Sequence, residues 1–72
     1  MDQKLMDRIE NDFTYHKPNE VQCEKYETIR ATAKTFAMLI ADLTPVSREQ
    51  SVAFTNLDQV VFWANAAIAR NS

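Results

Sequence analysis

The sequence predicts an all-α protein, in which a short N-terminal helix is followed by a long antiparallel helical hairpin that assembles into a homo-oligomer. The 72 residues include no glycine and only two prolines, which disfavours sheets with tight turns because such turns use glycine at positive φ. Apolar residues recur at three- and four-residue steps, the spacing of a helix face. The charge-free stretch from Gln59 to Ala69 points apolar side chains all around its helix axis, so several neighbours must cover it.

The first helix is predicted over residues 1–13. Apolar side chains repeat there every four residues, at Leu5, Ile9 and Phe13. The segment that follows ends in Pro18, which restricts the residue before it to extended backbone. The proline therefore separates the first helix from the second.

The second helix is predicted over residues 19–43. Asn19 is its N-cap, and Gln22 stands at the position that completes a capping box. Its apolar positions alternate three- and four-residue steps, as in a coiled coil. This seam consists of Tyr26, Ile29, Ala33, Phe36, Ile40 and Leu43.

The third helix is predicted over residues 47–70, because Ser47 with Gln50 repeats the capping signature. Its seam passes through Ala53 or Phe54, Leu57, Val60 or Val61, Ala64 and Ile68. A connection of only residues 44–46 forces the two long helices to lie antiparallel. The two seams then pack against each other in a hairpin.

A single domain over residues 1–72 is predicted. The core of so small a domain is usually only marginally stable without a disulfide, a bound metal or association between copies. Cys23 has no second cysteine with which to pair, and one histidine leaves no zinc-ligand set. We therefore predict no metal and no cofactor, and association between copies as the remaining source of stability. Four large apolar residues fall off the seams and favour such contacts: Met38, Leu39, Phe62 and Trp63.

The charge pattern excludes several classes of partner. The net charge is −2, and the basic residues are dispersed along the chain, so neither duplex DNA nor an anionic membrane is a predicted partner. No apolar run approaches the ~18 residues of a membrane span, and no signal peptide is recognised, which predicts a cytosolic protein. One histidine and one cysteine form no nucleophile, base and orienter set, so we predict no enzyme.

Four short segments share a recognisable order and spacing. They are Phe-Thr-Tyr-His-Lys-Pro at 13–18, Lys-Tyr-Glu-Thr-Ile-Arg at 25–30, Pro-Val-Ser-Arg-Glu at 45–49 and Trp-Ala-Asn-Ala-Ala-Ile-Ala-Arg-Asn at 63–71. Together they resemble the hairpin domain shared by phage anti-CBASS and anti-Thoeris signal sponges, and the anti-CBASS members most of all. The resemblance implies a homohexamer that sequesters cyclic nucleotide immune signals, uncleaved, in the cytoplasm of the infected bacterial host. It further implies a cyclic dinucleotide pocket between paired protomers and, in some members, a cyclic trinucleotide pocket where three protomers meet.

Tyr15 and Arg30 are the first candidate ligand-binding residues. A cyclic dinucleotide presents two phosphates and two base faces, which call for cations and flat surfaces. Tyr15 matches a base-contacting tyrosine of the family, and its alternative role is packing at the end of the first helix's apolar face. Arg30 matches the family's basic phosphate-contacting position, and its alternative role is an exposed ion pair with Glu27.

Four further residues complete the predicted site. His16 and Lys17 lie in the same loop as Tyr15, where either can supplement phosphate binding. The resemblance places Arg70 and Thr32 in the trinucleotide pocket, apart from the dinucleotide site. For Arg70 the alternative is a cation that stabilises the end of the third helix.

A different class of function also fits the apolar surface. An oligomerising helical adaptor would use the off-seam apolar residues to bind another protein. Titration with cyclic dinucleotides separates the two functions, because an adaptor has no reason to bind one.

Overall fold

The computed structural model describes residues 2–71, which form three α-helices. These are α1 at Gln3–Phe13, α2 at Glu20–Leu43 and α3 at Arg48–Asn71. No strand occurs among the described residues. The prediction of an all-α chain is therefore confirmed. Met1 and Ser72 lie outside the described residues. The predicted domain included both residues, and the predicted first helix included Met1.

Helix α2 begins with the capping box that the sequence predicted. Asn19 Oδ1 accepts a hydrogen bond from the backbone N–H of Gln22 at 2.8 Å, and Gln22 Oε1 accepts one from the backbone N–H of Asn19 at 3.0 Å. Gln22 Nε2 also donates to the carbonyl oxygen of Ile68 at 3.4 Å. The side-chain amide of Gln22 therefore links the first turn of α2 to the last turns of α3.

Replacing Asn19 with alanine should destabilise the fold by about 1 kcal/mol, because it removes the side-chain acceptor at the N-cap. In a domain of this size that loss lowers the melting temperature by about 4–8 °C. Circular dichroism during heating measures it. Asn56→Ala is the matched control, since Asn56 is exposed in the interior of α3 and caps nothing. Equal melting temperatures for the two variants would contradict the capping role.

The start of α3 differs from the predicted capping box. Ser47 Oγ accepts from the backbone N–H of Gln50 at 3.1 Å, as predicted. Gln50 Nε2, however, donates to the carbonyl and hydroxyl oxygens of Thr44 at 3.1 and 3.0 Å, and within residues 2–71 the reciprocal bond to Ser47 is absent. Pro45 explains the difference, because it holds Thr44 in extended backbone, where the last turn of α2 ends. Gln50 thus fastens the turn of the hairpin.

One chain is elongated rather than compact. Its Cα atoms extend 49 × 30 × 13 Å. The radius of gyration is 16.1 Å, whereas a compact domain of this length has about 11 Å. Among the described residues no apolar side chain is buried. Because a stable domain buries its apolar faces between packed elements, one chain leaves its core-forming residues uncovered.

The predicted seam of α2 is sheltered only in part. Ile29, Ala33 and Ile40 are half-buried, as expected. Phe36 is 52% exposed and Leu43 is also exposed, while Ala37 is half-buried in place of Phe36. A straight helix turns every 3.6 residues, so a seam of 3.5-residue spacing drifts by about 20° per heptad away from its partner. The assignment of Leu43 to the intramolecular seam was therefore wrong, whereas Phe36 still lines an apolar groove between α2 and α3 together with Leu57.

Candidate ligand-binding site

The three helices meet at the open end of the hairpin, around an open cavity of about 590 Å³. Its lining combines aromatic rings, two arginines, a carboxylate and two amides. The lining residues are Asn11, Asp12, Thr14, Tyr15, His16, Tyr26, Arg30, Phe62, Asn65, Ala66, Ala69 and Arg70. The antiparallel hairpin brings the last turns of α3 back beside the first turns of α2, and the end of α1 closes one side.

The last turn of α1 is held against the last turn of α3 by two polar contacts. Arg70 Nε lies 3.4 Å from Asp12 Oδ1, and Asn11 Nδ2 donates to the carbonyl oxygen of Arg70 at 3.4 Å. Asp12 Oδ2 also lies 3.5 Å from Arg8 Nε, one turn earlier on α1. Arg70 therefore connects two helices across the cavity, which goes beyond the helix-end role considered for it.

The loop after α1 presents Tyr15 to solvent. Tyr15 is 83% exposed, so the alternative in which it packs against α1 does not hold within one chain. Next to it, His16 Nε2 lies 3.0 Å from the carbonyl oxygen of Asn11. A carbonyl can only accept, so this ring nitrogen carries the donated proton. The bond holds the loop beside the cavity and leaves the tyrosine ring uncovered.

Arg30 lies on α2, where it lines the same cavity as Tyr15. Its side chain is exposed, and among residues 2–71 no carboxylate forms an ion pair with it. The alternative pairing with Glu27 is therefore not formed. An arginine without a carboxylate partner keeps its planar set of donors for an anion.

Arg70 lies with Tyr15 and Arg30, and Thr32 does not. Thr32 lines a separate apolar groove between α2 and α3, and Lys17 is exposed outside the cavity. The expectation that Arg70 belongs to a pocket apart from Tyr15 and Arg30 does not hold within one chain. The reason is that α2 and α3 match in length, so the end of α3 returns to the start of α2.

Eight of the twelve lining residues are not among the site residues predicted from the sequence, and four of the eight bear on its chemistry or packing. Tyr26 was assigned to the seam and Phe62 to the assembly surface, and Asp12 and Asn65 were not considered. Asn65 Oδ1 is buried and has no hydrogen-bond partner within residues 2–71. A buried acceptor without a partner costs about 1–3 kcal/mol. A signal for Asn65 was present, because it is a polar residue in the middle of an apolar helical run.

A comparison with protein families matches residues 6–69 to the family described as Acb2/Tad1, hairpin domain. The chain belongs to this family. The match confirms the resemblance inferred from the four segments and indicates a phage anti-defence role. It includes every lining residue of the cavity except Arg70, which follows its last position. No curated protein and no solved structure matches the chain.

The remaining features concern membranes and metals. None of the described helices is both long enough and apolar enough to cross a bilayer. Within the described part of the chain, no three His, Cys, Asp or Glu side chains group as metal ligands. The Acb2/Tad1 hairpin is a sponge-type domain and not a known enzyme family.

Proposed function

We propose that the protein is a phage anti-defence sponge, which binds cyclic dinucleotide immune signals and sequesters them uncleaved in the cytoplasm of the infected bacterium. Family membership supports an anti-defence role. The single observation that supports the ligand class is the cavity that combines Tyr15, Arg30 and Arg70. Guanidinium groups suit phosphates, and aromatic rings suit base faces.

Each part of the ligand has a counterpart in the cavity. Arg30 and Arg70 supply cations for the phosphates, and Tyr15 and Tyr26 supply rings for the bases. His16, in the same loop as Tyr15 and hydrogen-bonded to the carbonyl oxygen of Asn11, adds a polar group. A volume of about 590 Å³ falls within the range of small-molecule sites, about 300–1,000 Å³. The open side of the cavity requires a second surface to enclose the ligand.

Other copies of the chain supply that second surface in the proposed homohexamer. One chain buries no apolar side chain among its described residues. Burying a large apolar side chain contributes roughly 1.5–3 kcal/mol, so association of the uncovered faces is strongly favoured. The adaptor alternative uses the same faces but gives no role to Arg30, whose side chain has no carboxylate partner within residues 2–71.

The predicted cyclic trinucleotide site requires more than one copy. Thr32 and Arg70 lie on different surfaces of one chain. A pocket that contains both must therefore take each from a different protomer. That site remains a prediction.

Sequestration predicts that the ligand is recovered chemically intact. Calorimetric titration with 3′,3′-cyclic GMP–AMP should show binding, and chromatography after heat denaturation of the complex should show only the cyclic form. The physical reason is that the cavity holds no nucleophile paired with a base and an orienting group. Ligand incubated without protein is the control. Absence of binding would favour the adaptor, and appearance of linear nucleotide would contradict sequestration.

A further inference from the structure

The loop between α1 and α2 is fixed at each end by a side chain that caps a helix. At the start of α2 the cap is Asn19. At the end of α1, His16 Nε2 donates to the carbonyl oxygen of Asn11 at 3.0 Å. This carbonyl lies in the last turn of α1, where the final carbonyl oxygens have no partner within the helix. His16 therefore caps α1 from beyond its end and draws the loop back onto the helix.

Tyr15 lies inside the segment that this bond closes. Among residues 14–18 of the described chain, His16 is the only one whose side chain forms a hydrogen bond or an ion pair. The Tyr15 ring is 83% exposed and has no such contact of its own. Its place beside the cavity therefore depends on the loop backbone, which the His16 bond and the fixed φ of Pro18 restrain.

The same bond limits what the imidazole of His16 can offer a phosphate. A neutral imidazole has one N–H donor and one acceptor nitrogen. Since Nε2 donates to the Asn11 carbonyl, Nδ1 of the neutral ring is the acceptor. An acceptor nitrogen cannot form a hydrogen bond with a phosphate oxygen, which is itself an acceptor. The predicted phosphate contact of His16 thus requires the protonated ring, whereas the bond to Asn11 requires only the neutral one.

We infer that His16 is a positioning residue, which holds Tyr15 where its ring can stack on a base, and that it does not contact phosphate at neutral pH. The inference rests on the proposed function and adds a residue that acts through Tyr15. When a binding residue occupies its productive position only part of the time, the apparent affinity falls by that fraction. One hydrogen bond changes such a population about three- to tenfold.

His16→Gln and His16→Asn form a matched pair of uncharged variants. The amide nitrogen of glutamine is as many bonds from Cβ as Nε2 of histidine, so it can donate to the Asn11 carbonyl. The amide nitrogen of asparagine corresponds to Nδ1 and falls short. Calorimetry with 3′,3′-cyclic GMP–AMP should give wild-type affinity for His16→Gln and about three- to tenfold weaker binding for His16→Asn. Wild-type affinity in His16→Asn would overturn the inference.

A double-mutant cycle with Tyr15→Ala tests whether His16 acts through Tyr15. Without the tyrosine ring there is nothing left to position, so His16→Asn should cause no further loss of affinity in the Tyr15→Ala background. Light scattering and circular dichroism on the same samples report assembly and helix content. An undiminished loss in that background would mean that His16 acts elsewhere, which would also overturn the inference.

The dependence of affinity on pH separates positioning from a phosphate contact, and it does not require His16→Asn to fold. Histidine ordinarily changes charge between about pH 5 and 8, so a phosphate contact would strengthen binding as the pH falls from about 8 to 6. The Nε2 proton is present in both charge states. The wild type and His16→Gln should therefore show the same change in affinity between the two pH values.

The other titratable groups near the imidazole are of types that do not ordinarily change charge in this interval, namely carboxylates, arginines and tyrosines. They line the cavity or the hollow beside it: Asp7, Glu10, Asp12, Tyr15, Tyr26, Arg30 and Arg70. A gain in affinity at low pH that occurs in the wild type and not in His16→Gln would overturn the inference alone. A wild type that binds no cyclic dinucleotide would overturn the proposed function and the inference with it.

Discussion

Light scattering at micromolar concentration is expected to show the wild-type protein as a particle of several 8.3 kDa chains, most simply six, and Trp63→Asp as a much smaller species. Trp63 is 58% exposed in one chain and does not line the cavity. Its ring is held edge to face against Phe62, with centroids 5.2 Å apart. An aspartate buried there by a neighbouring copy would be an unpaired charge, which costs several kcal/mol.

Trp63→Phe is the matched control for this experiment. It keeps an aromatic ring at the same position and should preserve the assembled particle. Circular dichroism of Trp63→Asp distinguishes a folded monomer from an unfolded chain, and loss of helix is the expected accompaniment because one chain has no buried apolar core. A wild type that runs as a monomer would refute the proposed assembly.

Local sequence signals accounted for the helices and most of their ends. Proline fixes the backbone before it, and an N-cap acts over three residues, so such features can be inferred without knowing the fold. The cap at Asn19 and the end of α2 before Pro45 follow from these rules. Gln50 does not follow these local rules. Its side-chain amide donates to the carbonyl oxygen of Thr44 in the turn before α3, and residue spacing alone does not predict that contact.

The cavity could be predicted less completely, because its contacts join distant parts of the chain. The ion pair between Asp12 and Arg70 produces no periodic pattern in the sequence, since one residue lies at the end of the first helix and the other at the end of the third. Tyr26 illustrates a second difficulty. It is half-buried at a seam position and also lines the cavity, so periodicity assigned it one role when the structure gives it two.

A side chain that is exposed in a single chain can either bind a ligand or contact another copy of the chain, and the sequence alone does not distinguish these two roles. Tyr15 and Trp63 are both well exposed. Tyr15 lines a cavity with arginines, which suits a ligand, whereas Trp63 lies outside it on the charge-free part of α3, which suits contact between copies. Only the geometry around each ring distinguishes a base-binding residue from an assembly residue.

Tyr15→Ala and Arg30→Ala are expected to lower cyclic dinucleotide affinity by about ten- to hundredfold each. Stacking of a base on an aromatic ring is worth about 1–3 kcal/mol, and a hydrogen bond to a charged group about 1.5–3 kcal/mol. A change of about 1.4 kcal/mol corresponds to a factor of ten. Isothermal titration calorimetry with 3′,3′-cyclic GMP–AMP measures both variants.

Matched controls separate the ligand contacts from general effects of the substitutions. Phe13→Ala removes an exposed ring two residues from Tyr15 that does not line the cavity, and Lys34→Ala removes an exposed cation one turn from Arg30. Both controls should bind like the wild type. Tyr15→Phe should keep most of the affinity, because the ring and not the hydroxyl carries the stacking.

The decisive comparison is between affinity and assembly in the same samples. Neither the Tyr15 nor the Arg30 side chain forms a hydrogen bond or an ion pair within residues 2–71, and both are exposed in one chain. Light scattering should therefore show particles of wild-type size for both variants, so that a weaker titration reports lost ligand contacts. If both variants bind the cyclic dinucleotide as tightly as the wild type, the residue assignment is wrong even where the sponge activity is real.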